Sequence, residues 1–156
     1  MYKYIIQFII SGFVFIFSTI VAWYEGSGII DHSIQWKYST PFTKLFGVSI
    51  TDGKDILILD YFVYSIKFQP TFPILMLLSA VYMTLLIIIY ISKFNNKLSD
   101  IFFVIVVITL LFLSVFFIGA STTGGKFFFT FTLGIAILFI VVKVLLHKKK
   151  IENITN

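Results

Sequence analysis

The sequence contains no cysteine and no arginine, and each absence narrows what the protein can do. Without cysteine there is no disulfide exchange, no thiolate nucleophile and no thiolate metal ligand. Without arginine, all 12 basic residues are lysines, which lack the planar fork that binds phosphates and bases through paired hydrogen bonds. We therefore expect no nucleic-acid partner, despite a formal net charge of +5.

Charged residues are also scarce, at 12% of the 156 residues, whereas soluble domains carry roughly 25%. Four apolar runs fill most of the chain, and none has an ionisable side chain near its middle. Each run has about 20 residues, the length of a helix that crosses a hydrocarbon core about 30 Å thick. A helix also satisfies its own backbone hydrogen bonds in lipid. The runs cover approximately residues 4–23, 72–91, 101–119 and 127–146.

This pattern predicts an all-α integral membrane protein. We expect one domain over residues 1–156, built as a four-transmembrane-helix bundle with a structured outer loop, 24–70, between helices one and two. The first run is longer than the apolar core of a signal peptide, so we expect it to remain as a helix. Its small and weakly polar residues share one face, which should point into the bundle. They are Gln7, Ser11, Ser18 and Ala22.

Lysine is concentrated at the ends of the runs that lie away from the loop. Lys3, Lys93, Lys97 and the 143–150 group, which includes Lys148–Lys150, all fall on that side. Because cytoplasmic segments carry the excess of lysine, both termini are predicted in the cytoplasm and loop 24–70 outside it.

The loop holds five of the seven acidic residues and many aromatic ones, which are too costly to leave in water. We therefore predict a compact cap over the bundle. Weak alternation over Ile34–Tyr38 favours a short strand. Apolar residues at helical spacing predict a helix over Asp55–Phe68, with Asp55 as its N-cap, lying at the interface or against the bundle.

Two polar features inside the runs predict helix–helix contacts. The hydroxyl of Tyr82 needs a partner in lipid, and a neighbouring helix should supply it. Thr130 and Gly134 form a pair of small residues that permits close backbone approach. The Gly-rich segment 120–126 is read as a turn, since its spacing does not match a phosphate loop. The candidate partners of Tyr82 are Ser11, Thr109 and Ser114.

No catalytic, cofactor or metal site is predicted. Asp31-His32 lacks the spacing of a zinc or calcium loop. Ion-coupled carriers place ionisable residues in mid-membrane, and these runs have none there. An enzyme would need polar groups near an interface, for which Glu25, Asp60 and His32 are the candidates.

Three segments in the first half stand in a characteristic order: Ala22–Ser27, Trp36–Phe42, and Leu59–Tyr64 continuing to Lys67–Pro70. Together they resemble the small four-pass bacterial membrane family of unknown function typified by the YjdJ protein of bacilli. The resemblance implies an integral protein of the bacterial cytoplasmic membrane, and it carries over no catalytic residue.

The favoured interpretation is a non-enzymatic membrane protein whose extracytoplasmic loop binds a lipid, a peptide or another membrane protein. The alternatives are an accessory or immunity protein against a membrane-active peptide, and a small transporter or pore; homo-oligomers fit each of them. We further hypothesise that Glu25 or Asp60 pairs with Lys37 or Lys67 to hold the loop on the bundle. The candidate recognition or structural residues of the loop are Trp23, Glu25, Trp36, Lys37, Tyr38, Asp60, Tyr64 and Lys67.

Overall fold

The computed structural model describes the backbone of residues 2–155 and the side chains of residues 2–144. The predicted lysine cluster Lys148–Lys150 lies outside the described side chains. Within the described backbone, the regular elements are α-helices and two short 3₁₀ turns, Ser27–Asp31 and Gly53–Asp55. The helices are α1 (Tyr2–Gly26), α2 (Ser33–Ser39), α3 (Pro41–Leu45), α4 (Ile58–Phe68), α5 (Thr71–Ser92), α6 (Asn96–Phe116) and α7 (Thr123–Thr155).

Four segments are long and apolar enough to cross a membrane, which confirms the predicted fold class. They are α1 with the turn that follows it (Tyr2–Asp31), α5, α6, and α7 over Thr123–Val144. α1 packs along α5, α5 along α6, and α6 along α7. The predicted inward face of α1 is also confirmed, since Ser11, Ser18 and Ala22 are buried.

The bounds of the last two spans differ from the prediction. α6 begins at Asn96 rather than 101, because the Asn95 side chain caps it by accepting the Leu98 N–H at 3.1 Å. It ends at Phe116, three residues before the predicted 119. α7 begins at Thr123 rather than 127, where the Thr122 hydroxyl accepts the Gly125 N–H at 3.2 Å. The link between the two helices is therefore shorter than predicted.

Both predicted helix–helix contacts are wrong. The Tyr82 side chain is 41% exposed and, among the described residues, its hydroxyl has no hydrogen-bond partner. Ser11 and Thr109 instead donate to carbonyls of their own helices, at 3.1 and 2.9 Å. Thr130 and Gly134 lie on an exposed side of α7, where a Cβ added at Gly134 would meet no atom within 4 Å.

The segment between α1 and α5 folds as a helical cap. The predicted strand Ile34–Tyr38 is wrong, because these residues lie within α2. The predicted helix over Asp55–Phe68 forms only from Ile58, with Leu57 rather than Asp55 at its N-cap. Asp55 accepts hydrogen bonds from the backbone N–H groups of Thr51 and Asp52, at 2.8 and 2.9 Å, and so closes the 3₁₀ turn before α4.

Candidate ligand site beneath the cap

A fully buried carboxylate holds the cap together. Asp60, in the first turn of α4, accepts hydrogen bonds from the backbone N–H groups of Phe42 and Thr43, at 2.9 and 2.7 Å, and from the Thr43 hydroxyl at 2.5 Å. The Thr43 hydroxyl oxygen accepts the Leu57 N–H at 2.9 Å. The two N–H groups belong to the first turn of α3, where a helix favours negative charge. Asp60 is thus an N-terminal cap supplied from another helix.

Trp36 and Tyr64 meet in a small apolar core within the cap, with Ile29 and Ile56. The Trp36 indole N–H donates to the Ile29 carbonyl at 2.8 Å, which satisfies the one polar atom of a large side chain. Tyr64 also packs its ring against Phe68, with centroids 4.6 Å apart. Burial raises the pKa of the Tyr64 hydroxyl. Trp36 therefore packs against α4 through Tyr64 and Tyr61.

Two glycines allow α4 to lie directly on the bundle. A Cβ added at Gly26, at the end of α1, would overlap the Tyr61 carbonyl oxygen. A Cβ added at Gly124, in the first turn of α7, would lie 2.5 Å from the Lys67 carbonyl oxygen. α4 therefore contacts the end of α1 and the start of α7 through the backbone itself.

The hypothesised ion pairs of the cap are wrong. Asp60 is occupied by α3, and the Lys67 ammonium donates to the Tyr38 carbonyl oxygen. Lys37 is exposed, and its own carbonyl oxygen accepts from the Lys44 ammonium. In the described side chains, the one ion pair within 4 Å joins Lys143 to Asp100, at the end of the bundle away from the cap.

A cavity of about 590 Å³ lies between the cap and the α6–α7 link. The C-terminal end of α4 contributes Lys67 and Phe68, and α2 forms the facing wall. Lys67 and Tyr38 are the titratable side chains of this lining. Its members are Ile34, Gln35, Tyr38, Ser39, Lys67, Phe68, Gly119, Ala120, Ser121 and Thr122.

Two polar atoms of the α2 wall are buried without a hydrogen-bond partner among the described side chains. Ser39 is 1% exposed and its hydroxyl is unpaired; the side-chain amide oxygen of Gln35 is unpaired as well. Leaving such groups unsatisfied costs about 1–3 kcal/mol each. Both residues line the same cavity as Lys67, whose ammonium donates to the Tyr38 carbonyl oxygen, so a polar ligand that entered the cavity would come close to all three side chains.

Lys67 is the positively charged side chain among the residues that line the cavity. Burial, and then the nearby charge of Lys44, lowers the pKa of the Lys67 ammonium, while the Asp60 carboxylate opposes the change. An anion placed beside Lys67 would reverse the effect of both causes, because it would replace the lost solvation and screen the like charge.

The eight residues singled out from the sequence do not form one site. Tyr38 and Lys67 line the cavity, Trp36 and Tyr64 form the apolar core, and Asp60 fixes α3. The others stand apart: Lys37 is exposed, Trp23 is 46% exposed on α1, and Glu25 has a buried carboxylate oxygen without a partner. Sequence reasoning missed Gln35 and Ser39, since an isolated amide or hydroxyl carries no motif.

These features define a small α-helical protein in which a cap lies on one end of four helices that are long and apolar enough to cross a membrane. The chain belongs to the family described as a domain of unknown function (DUF4306), which it matches over residues 5–92. That segment comprises nearly all of α1, the cap and α5. The chain is similar to the uncharacterised protein YjdJ of Bacillus subtilis, with 34% identity over 97 residues that make up 60% of this chain and 89% of the relative. No solved structure matches.

The family assignment confirms the resemblance given by the three motif segments. Residues 5–92 include one wall of the cavity, with Gln35, Ser39 and Lys67, whereas the facing link 119–122 lies beyond the matched segment.

Proposed function

We propose that the protein is a membrane-embedded binding protein, not an enzyme, whose cavity beneath the cap takes the headgroup of an anionic phospholipid. The observation that carries the proposal is that a single cavity is lined by Lys67 and by Ser39 and Gln35, each of which has a buried polar atom without a partner among the described residues.

The groups favour a particular chemistry. Lys67 and the Ser39 hydroxyl can donate to a phosphate, and the positive end of the α7 dipole begins next to the lining residue Thr122. The amide oxygen of Gln35 needs a donor in return. A phosphate that carries a hydroxyl-bearing substituent, such as phosphoglycerol, supplies both.

The position of the cavity at the end of the membrane-length helices favours a lipid as the source of the phosphate group. α6 ends at Phe116 and α7 begins at Thr123, so the lining link between them marks the end of the membrane-length segments. Headgroups lie at this level. Ile34, which is 86% exposed, and Phe68 form an apolar rim for the glycerol backbone and upper acyl chains.

The orientation of the cap is part of the proposal. Lys3, Lys93 and Lys97 lie at the end of the bundle away from the cap. The positive-inside bias of these lysines supports a cytoplasmic location for that end, and an extracytoplasmic cap in a bacterial cytoplasmic membrane.

Titration of the detergent-solubilised protein with short-chain lipids tests the proposal. Dihexanoyl phosphatidylglycerol should bind more tightly than dihexanoyl phosphatidylcholine. Lys67→Gln should weaken the phosphatidylglycerol affinity by about tenfold or more, because a charge-assisted hydrogen bond is worth about 1.5–3 kcal/mol. Lys126→Gln is the matched control, since Lys126 is exposed in the first turn of α7 and outside the cavity lining.

Equal affinity for the two lipids, or an equal effect of both variants, would overturn the proposal. sn-Glycerol 3-phosphate distinguishes the source of the headgroup. If it binds as tightly as the phosphatidylglycerol, the ligand is a soluble phosphate ester and the lipid assignment is wrong.

A further inference from the structure

The cap carries an exposed apolar edge that shares no residue with the lining of the Lys67 cavity. Its residues surround a shallow depression of about 510 Å³ lined by Phe46, Leu57, Ile58 and Leu59. Phe46 in this lining is 67% exposed, and its neighbour Leu45 is 77% exposed. We define the apolar edge as Leu45, Phe46, Val48, Ile58 and Leu59.

We propose that this apolar edge inserts into the bilayer leaflet that surrounds the cap end of the bundle. The first argument is continuity with the lipid-facing surface of α6. Phe42 stacks on Phe116, the last residue of α6, with ring centroids 6.1 Å apart and planes 19° apart. α3 therefore lies directly against the end of a membrane-length helix.

The direction of the edge follows from helical geometry. Residues three and four apart share a face of a helix, so Leu45 at the end of α3, and Phe46 directly after it, whose N–H donates to the Phe42 carbonyl at 3.0 Å, lie on the same side as Phe42. The side of α3 that contacts α6 through Phe42 therefore also carries Leu45 and Phe46. These two residues lie beside the end of α6. On α6 itself the exposed residues Phe112 and Val115 cover the turn below.

The edge is also held rigidly. Gly47 adopts φ +70°, and the N–H groups of Gly47 and Val48 donate to the carbonyls of Lys44 and Thr43, at 3.0 and 3.1 Å. This is the Schellman motif that ends α3. Because Asp60 fixes the start of the same helix, little conformational entropy remains to be lost when Phe46 enters lipid.

The nearby charge agrees with insertion of the apolar edge. The ammonium of Lys44, the exposed neighbour of Leu45, donates to the Lys37 carbonyl oxygen of α2, so this charge is held at α2 rather than on the apolar edge. Insertion of the apolar edge would hold the cap against the membrane and keep the mouth of the Lys67 cavity at headgroup level. The inference does not depend on what the cavity binds.

Site-directed spin labelling tests the inference directly, because the chain has no cysteine to interfere. A nitroxide is attached in turn to Phe46→Cys, Leu59→Cys, Phe112→Cys and Lys54→Cys in nanodiscs that contain one protein each. Collision rates are measured with oxygen, which concentrates in lipid, and with a nickel chelate, which stays in water. Phe112 is the lipid reference and the exposed Lys54, on the 3₁₀ turn of the cap, is the aqueous reference.

Labels at positions 46 and 59 should lose nickel collisions relative to position 54 and gain oxygen collisions, as position 112 does. Nickel access equal to that of position 54 at both sites would overturn the inference. Protection from both reagents would overturn it too, since a protein surface would then cover the edge. The use of two sites guards against a local disturbance by either substitution.

Discussion

The cap and the bundle are both helical, but their buried polar side chains differ in whether they bond within one helix or between elements. In the bundle, buried hydroxyls bond mainly within their own helix: Ser79 donates to the Leu75 carbonyl at 2.8 Å and Thr132 to the Phe128 carbonyl at 2.9 Å, while Ser99 makes a longer bond of 3.4 Å to the Ile88 carbonyl of α5. In the cap, Asp60 of α4 accepts hydrogen bonds from Phe42 and Thr43 of α3, which lie 18 and 17 residues earlier in the chain. Lipid has no water to solvate an unpaired group, so a span satisfies itself. The cap has to be held by bonds between its elements.

The largest effect should come from Asp60→Asn. The amide of asparagine would turn one N–H donor group toward the donors of Phe42 and Thr43, which leaves buried groups unpaired. We expect a loss of about 3 kcal/mol or more in cap stability. Hydrogen exchange of the two amides and protease cleavage within 33–57 would report it.

The matched control for Asp60 is Thr132→Ala, which removes a fully buried hydroxyl that bonds only within α7. It should change the same readouts by less than about 1 kcal/mol. Comparable losses in the two variants would contradict the difference between cap and bundle.

The second prediction concerns the joint between the two regions. Gly124→Ala places a methyl group 2.5 Å from the Lys67 carbonyl oxygen, so α4 and the start of α7 must separate. Overpacking of this kind costs about 1–3 kcal/mol, and it should widen the cavity beside Lys67. Thermal unfolding in detergent measures the cost.

Gly134→Ala, on the exposed side of the same helix, is the control. It replaces the same residue type in α7 without a contact, and the greater helix propensity of alanine should leave stability equal or slightly higher. If the two glycine variants behaved alike, the backbone contact between α4 and α7 would be absent.

A smaller effect is expected from Trp36→Phe. The ring is largely kept, but the Ile29 carbonyl loses the indole N–H that lies 2.8 Å away, at a cost of about 1–2 kcal/mol. Trp23→Phe, at a half-exposed position on α1, should cost less than about 0.5 kcal/mol. Chemical denaturation of both variants in mixed micelles compares them; a larger loss for Trp23 would refute the assignment of Trp36 to the cap core.

The smallest effect belongs to the ion pair at the far end. Asp100 and Lys143 are both exposed, so Asp100→Asn should cost about 0–1 kcal/mol and leave the cap unchanged. Hydrogen exchange in the cap would detect any coupling. Faster exchange at Thr43 would indicate that the two ends of the bundle are not independent.

The sequence predicted the bundle better than the cap for a physical reason. A span is recognised from the apolarity of adjacent residues, which needs no knowledge of the rest of the fold. In the sequence, Asp60 has the features of an exposed acid, because its partners in α3 lie far away along the chain. Residues 34–38 alternate like a strand, yet the hydrogen bond from Trp36 to Ile29 accompanies a helix. The tendency of a short segment yields to such tertiary contacts.

For the same reason, only part of the candidate site could be predicted from the sequence. Lys67 and Tyr38 stood out as a charge and an aromatic residue in the polar segment. Ser39 and Gln35 became candidates only once their polar atoms were found buried beside the α6–α7 link. That link carries no charge and no motif, so its residues alone do not predict a ligand site.

The most direct measurement of the central claim is native mass spectrometry of the protein extracted gently from its membrane. The wild-type chain and Lys126→Gln should retain an anionic phospholipid as collision energy rises, whereas Lys67→Gln should lose it at lower energy. Retention of the same lipid by all three proteins, or of zwitterionic lipid alone, would contradict a headgroup site at Lys67.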